Sequence, residues 1–100
     1  MQPEIRDEVV WRLSTAAGHL HAIQDLVEVG RPCKEVIHQL KAVKAALRVV
    51  ESRLVDSQVK HSEEIILNGS TEARIAELAR LRNLYALLIQ EPDYTCEANE

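Results

Sequence analysis

The sequence predicts an all-α fold of three helices, because long stretches have helical apolar spacing and few residues interrupt them. Hydrophobic residues make up 46% of the 100 residues, whereas only three prolines and three glycines occur. A turn-rich β-sandwich or a disordered linker would need more of both. Phe is absent, so the predicted core consists of Leu, Val, Ile and Ala.

Apolar residues in the first third of the chain recur with alternating spacings of four and three. That average of about 3.5 is typical of a helix buried along one narrow stripe, and it predicts helix 1 over about residues 4–28. Gly30 can then adopt a positive φ, and Pro32 has the φ of a first helical turn. One helix therefore ends here and another begins. The stripe consists of Val9, Leu13, Ala16, Leu20, Ile23 and Val27.

The same spacing continues after Pro32 without interruption until Asn68-Gly69. It predicts a very long helix 2 of about 35 residues and roughly 50 Å. The other two helices of so small a protomer cannot cover that length. Part of helix 2 is therefore expected to meet another subunit, the alternative being an antiparallel hairpin in a monomeric bundle. The stripe consists of Val36, Leu40, Val43, Leu47, Val50 and Leu54.

Helix 3 is predicted to begin after Ser70, whose hydroxyl can cap its first turn, and to end near Gln90. Residues 1–90 then form one helical domain, and residues 91–100 form a flexible acidic tail that carries Cys96. The apolar side of helix 3 consists of Ile75, Leu78, Leu81, Tyr85 and Leu88.

The composition also excludes several classes of protein. No window holds the roughly 18 uncharged apolar residues of a membrane span, and the charged N-terminal stretch is unlike a signal peptide. A cytoplasmic protein without a membrane partner is expected. Cys33 and Cys96 are far apart and lack a CxxC partner, which argues against a disulfide framework or a zinc ribbon. The net charge is −4, and all of the acidic excess lies after residue 62, because residues 1–62 carry a net charge of +1 and residues 63–100 a net charge of −5.

Cys33 lies at the predicted start of helix 2, where unpaired N–H groups and the positive end of the helix dipole favour a thiolate. Arg31 and Lys34 favour it as well, so a reactive thiol is one interpretation. The other is a small apolar residue that fills a helix junction.

Near the opposite end of helix 2, three polar residues share one face at i, i+3 and i+4. They are Gln58, His61 and Ser62. If two copies of helix 2 pair antiparallel, this polar face would lie beside Cys33 of the neighbouring chain and form a shared site. The alternative is that the apolar stripe simply becomes polar where it leaves the core.

The segment from Cys33 through Gln39-Leu40-Lys41-Ala42-Val43-Lys44-Ala45-Ala46-Leu47 resembles the CsoR/RcnR/FrmR family of metal- or thiol-responsive transcriptional repressors. The resemblance extends over about residues 9–66 and implies a three-helix protomer. It further implies an antiparallel dimer with a four-helix core and a dimer of dimers. The implied function is operator binding by a basic face, relieved when an inducer acts at the cysteine site between subunits.

The resemblance also implies a set of inducer-sensing residues, of which only the first matches the copper sensors. Cys33 is present, but Gln58 occupies their histidine position and Ser62 their second cysteine position. Loss of both soft ligands disfavours Cu(I). Cys33 and His61 remain as candidate ligands for another transition-metal ion, and no other cofactor is expected. Persulfide chemistry would need a second thiol such as Cys96.

The candidate DNA-binding residues are Arg12 and a basic stripe on helix 2 formed by Lys41, Lys44 and Arg48 at i, i+3 and i+7. The family's helix 1 usually carries a second arginine, where this chain has Thr15. Repeated around a tetramer, these cations would bind DNA in a salt-sensitive manner, the alternative being a solvated face. Because aromatic stacking residues are few, the expected partner is double-stranded operator DNA contacted mainly at its phosphates.

Two other functions remain open at this point. A divergent member of the family would retain the scaffold without operator binding and act as a hetero-oligomer or protein-interaction partner. Catalysis, for example sulfur transfer through Cys33, has no support from a Cys-His-Asp arrangement, a phosphate loop or paired carboxylates. The leading hypothesis is therefore a homo-oligomeric repressor and not an enzyme.

Overall fold

The computed structural model describes residues 1–89, which form three helices and, within that range, no strand. The all-α class and the three predicted helices are confirmed. Cys96 and the predicted tail lie outside the described residues. The helices in chain order are α1 (Pro3–Glu28), α2 (Cys33–Asn68) and α3 (Thr71–Ile89).

The junction between α1 and α2 follows the turn chemistry of its residues. Gly30 has a φ of 80°, in the left-handed region that glycine adopts at low cost, as predicted. Its N–H donates to the carbonyl of Val27 at 3.1 Å. The carbonyl of Pro32 accepts from the N–H of Val36 at 3.2 Å, so Pro32 immediately precedes the first turn of α2.

The junction between α2 and α3 depends on one serine and one close approach of the backbone. The hydroxyl of Ser70 accepts a hydrogen bond from the N–H of Ala73 at 3.1 Å, which confirms the predicted cap. At Gly69, a Cβ atom would lie only 2.6 Å from the carbonyl oxygen of Ile65. Arg74 donates from Nε to the carbonyl of Ile66 at 2.7 Å and so satisfies an end carbonyl of α2.

The described chain divides into two compact units, of which the first comprises residues 1–58. In this unit α1 and α2 run antiparallel, because Glu8 pairs with Arg53 while His19 bonds to Gln39. The buried residues of α1 in this unit are spaced seven residues apart, and so are Val43 and Val50 in α2. The buried apolar residues are Val9, Ala16, Ile23, Val43, Val50 and Val55.

Only alternate members of the two predicted stripes are buried within the first unit. Val36 is half-buried, and the other six members are 37% to 59% exposed. Each helix therefore uses one half of its stripe inside the chain and leaves the other half in solvent. The exposed members are Leu13, Leu20 and Val27 in α1, and Leu40, Leu47 and Leu54 in α2.

The second unit begins at residue 59 and contains the end of α2 together with α3. These segments also run antiparallel, because Ser62 bonds to Glu77 while the carbonyl of Ile66 accepts from Arg74. The packed side of α3 carries Glu77 and the half-buried Leu81. The prediction for α3 was incomplete, since four of its five apolar residues are exposed: Ile75, Leu78, Tyr85 and Leu88.

Among residues 1–89, no helix combines the length and the apolar character that a bilayer crossing requires.

Candidate inducer site and DNA-binding surface

Cys33 is the first residue of α2, and its thiol is free and exposed. The guanidinium of Arg31 donates two hydrogen bonds to Oε1 of Glu35, at 3.1 and 2.9 Å. One of the two cations expected beside the thiol is therefore paired with a carboxylate one helical turn away. Lys34 is exposed, as is the thiol itself. A dissolved reagent can reach this position.

Cys33 and Gln58 lie far apart within one protomer. Both belong to α2 and to the first compact unit. At 1.5 Å per residue, their backbones are about 37 Å apart along the helix axis. A site that contains both residues therefore needs a second copy of the chain.

The other candidate sensing residues differ in exposure. Gln58 is half-buried and His61 is exposed, whereas Ser62 is fully buried at 0% exposure. The hydroxyl of Ser62 donates a hydrogen bond to Oε2 of Glu77. Ser62 thus contacts α3 directly.

Glu77 is a buried carboxylate that the sequence pattern did not reveal. Only 2% of it is exposed, and Arg80 donates a hydrogen bond to its Oε1 while Ser62 donates to its Oε2. Charge-assisted bonds of this kind offset the cost of removing a carboxylate from water. The available signal was its spacing: Glu77 lies four residues before Leu81, on the packed side of α3.

The described residues show no cluster of metal-ligating side chains within one chain. Nowhere in residues 1–89 do three His, Cys, Asp or Glu side chains converge as a metal site would require. Cu(I) prefers thiolate, thioether and imidazole ligands. The candidate sensing residues Gln58 and Ser62 supply an amide and a buried hydroxyl that bonds to Glu77.

His19 has a structural contact between the helices of the first unit. Its Nε2 lies 2.7 Å from Oε1 of Gln39, so the ring donates when Nε2 carries the proton. This bond links α1 to α2. Helical spacing does not reveal this contact, because the partner of His19 lies on another helix.

The predicted DNA-binding residues of α2 all lie on its exposed surface. Lys41, Lys44 and Arg48 are exposed, and their spacing places them on one side of the helix. Among the DNA-contact candidates, only Arg12 is partly buried. This basic stripe is therefore accessible to a large polyanion.

Arg12 pairs with a carboxylate on its own helix. Its Nε donates to Oε2 of Glu8 at 2.9 Å, and the same oxygen lies 3.2 Å from Nε of Arg53. One carboxylate on α1 thus holds an arginine from each helix. Periodicity within one helix does not reveal Arg53, because its contact with Glu8 joins two helices.

Comparison with known proteins gives a consistent result over most of the chain. The family model described as "Metal-sensitive transcriptional repressor" matches residues 5–88. The chain is also 32% identical, over 74 residues, to the copper-sensing transcriptional repressor CsoR of Bacillus subtilis (strain 168), a match that covers 73% of each chain. No solved structure shows a significant match. The chain belongs to the family of metal-sensitive transcriptional repressors.

Proposed function

We propose that this chain is a homo-oligomeric repressor that binds double-stranded operator DNA in the cytoplasm and releases it when an inducer acts at Cys33. The observation that carries the proposal is the family match over residues 5–88, which includes nearly all of the described helical region. The exposed thiol of Cys33 at the start of α2 supports the sensing role. The accessible basic stripe of α2 supports the DNA-binding role.

The half-exposed apolar stripes support self-association. Leu40, Leu47 and Leu54 repeat every seven residues along α2 and remain 37–38% exposed. Full burial of an exposed leucine contributes about 1.5–3 kcal/mol, and burying the remaining third of each side chain contributes roughly 0.5–1 kcal/mol. Three such leucines on each of two chains therefore favour pairing. The proposed arrangement is an antiparallel dimer with a four-helix core, with two dimers forming a tetramer.

An antiparallel dimer also supplies the shared sensing site. In this arrangement the polar face of one chain would lie beside the thiol of the other, a proposal supported by the distance of about 37 Å between Cys33 and Gln58 along one α2. Gln58 and His61 then line the site, and Ser62 connects it to Glu77 on α3. The inducer is either a reactive sulfur species or electrophile that modifies Cys33, or a transition-metal ion held by Cys33 and His61, with Cu(I) disfavoured.

Operator binding is tested by titrating fluorescently labelled duplex DNA from upstream of the chain's own gene at two salt concentrations. Binding should weaken as salt rises, because lysine and arginine contacts release counterions from DNA. The double variant Lys41→Ala/Arg48→Ala should bind more weakly and with a shallower salt dependence. Lys60→Ala/Arg82→Ala removes the same charge from other exposed positions and serves as the control.

Absence of binding at low salt would contradict the repressor proposal. It would favour a scaffold that acts through other protein chains. Equal effects of the two double variants would show that net charge alone governs binding and that the α2 stripe has no special role.

The inducer is tested by mass spectrometry of Cys33 together with the same DNA titration. The protein is exposed separately to a persulfide, formaldehyde and transition-metal ions, with Cys33→Ala as the control. One of these should modify or occupy Cys33 and weaken DNA binding in the wild-type protein only. If DNA binding responds equally in the Cys33→Ala variant, sensing takes place elsewhere.

A further inference from the structure

We propose that Arg53 of α2 is a further DNA-contact residue, held beside Arg12 by the carboxylate of Glu8. The inference rests on the proposed operator binding and adds a residue to the same surface. The proposed role of Arg53 follows from the arrangement of three charged side chains in the first compact unit. The position of Arg53 in the sequence does not reveal that it lies beside Arg12.

The two arginines meet at a single oxygen atom. Oε2 of Glu8 is 2.9 Å from Nε of Arg12 and 3.2 Å from Nε of Arg53. The two Nε atoms are therefore separated by no more than the sum of these distances. All three side chains are partly exposed, at 31% for Glu8, 32% for Arg12 and 46% for Arg53.

In both ion pairs the contact with Glu8 is made through Nε of the arginine. Within residues 1–89, the terminal Nη groups of Arg12 and Arg53 make no hydrogen bond. Arginine binds phosphate oxygens with two N–H groups at once, and its planar fork loses less freedom when it is already oriented. Glu8 thus orients both forks while leaving their terminal donors available.

The charge balance of this cluster also favours an anionic partner. A structural ion pair between α1 and α2 needs only one arginine for Glu8. A second guanidinium on the same carboxylate leaves one positive charge in excess, with two cations close together. A phosphate group at the terminal nitrogens would compensate that excess. DNA presents a regular series of such groups, and contacts with them set the position of a protein on the duplex.

The test uses the full chain and the operator titration described above, with Arg53→Ala compared to Arg6→Ala. Arg6 is an exposed residue of α1, so the control removes the same charge elsewhere in the first unit. Arg53→Ala should weaken operator binding several-fold. It should also lower the slope of log affinity against log salt by about 0.9 for each phosphate that is no longer neutralised. Arg53→Lys should retain most of the salt slope, because it keeps the charge, while binding with lower affinity.

Circular dichroism before each titration separates a DNA contact from a structural role. If Arg53→Ala lowers the thermal midpoint but leaves the salt slope equal to that of Arg6→Ala, Arg53 is only a structural ion pair and the inference is overturned. If the wild-type protein binds no DNA, the proposed function itself fails. Wild-type binding together with an unaffected Arg53→Ala variant overturns the inference alone.

Glu8→Ala tests the positioning role of the carboxylate. Removal of a negative charge would strengthen DNA binding if only net charge mattered. If Glu8 orients the two arginines, its loss should weaken operator binding despite the more positive net charge. Stronger binding by Glu8→Ala would contradict the orienting role.

Discussion

The hydroxyl of Ser62 near the end of α2 donates a hydrogen bond to the carboxylate of Glu77 on α3, and both side chains are almost completely removed from solvent. Arg80, which is 61% exposed, donates to the other carboxylate oxygen. The buried charge is thus compensated by a hydroxyl within the unit and by a guanidinium at its surface. This contact joins the candidate sensing face to α3.

Ser62→Ala should lower the free energy of unfolding by about 1–3 kcal/mol, because it deprives a buried carboxylate of a hydrogen-bond donor. Urea denaturation followed by circular dichroism measures the change. Ser52→Ala, at an exposed position of the same helix, is the matched control and should be neutral or slightly stabilising. Equal effects of the two substitutions would show that the Ser62 hydroxyl contributes nothing to stability.

Gly69 and Gly18 should respond to alanine in opposite directions. A Cβ at Gly69 would lie 2.6 Å from the carbonyl oxygen of Ile65, whereas a Cβ at Gly18 would meet nothing within 4 Å. Gly69→Ala should destabilise the protein by about 1–3 kcal/mol through overpacking. Gly18→Ala should stabilise it by about 0.5–1 kcal/mol, because alanine favours a helix interior. Thermal unfolding measures both, and the same sign for the two variants would contradict this account.

The helix boundaries could be predicted because they depend on local chemistry. Gly30 supplies a positive φ and Ser70 caps α3, and both effects follow from residues close in sequence. Glu77 could not be predicted in the same way. Apolar periodicity treats a carboxylate as a surface residue, so a buried one with partners on two helices becomes visible only in three dimensions.

In the candidate site too, features set by nearby residues could be predicted from the sequence, whereas contacts between helices could not. The turn residues Gly30 and Pro32 correctly predicted that α2 begins near Cys33, and helical spacing predicted that the basic stripe lies on one side of α2. The pairing of Arg53 with Glu8 joins residues on different helices, and its partners follow from tertiary packing and not from periodicity. For the same reason, the sequence did not indicate which half of each apolar stripe stays exposed.

Self-association should be abolished when a charge is placed on the exposed half of the α2 stripe. Leu47 is 37% exposed and lies midway between the other two exposed leucines of α2. Leu47→Glu would bury a carboxylate without a partner in the proposed dimer, at a cost of several kcal/mol. Sedimentation velocity at micromolar concentration should show a monomer that retains its helical circular dichroism.

Ser52→Glu introduces the same charge at an exposed polar position of α2 and should leave the oligomer intact. A wild-type protein that sediments as a stable monomer would contradict the dimer, and with it the shared sensing site. If both substitutions dissociate the oligomer, the interface extends beyond the apolar stripe of α2.

Cu(I) binding should appear when the two missing soft ligands are restored. The wild-type donor set offers an amide at Gln58 and a buried hydroxyl at Ser62, neither of which Cu(I) prefers. The double variant Gln58→His/Ser62→Cys, together with the native Cys33, supplies one imidazole and two thiolates. Competition with a chromophoric Cu(I) chelator should show tight binding of Cu(I) by the variant and none by the wild type.

The added substitution Cys33→Ala provides the decisive control, because Cys33 lies about 37 Å along α2 from position 58 of its own chain. If the site is shared between antiparallel subunits, this triple variant should no longer bind Cu(I) tightly. Leu47→Glu in the double-variant background should abolish tight binding as well, since a monomer cannot bring both ends of α2 together. Retention of tight Cu(I) binding in the triple variant would place all ligands within one chain and contradict the shared site.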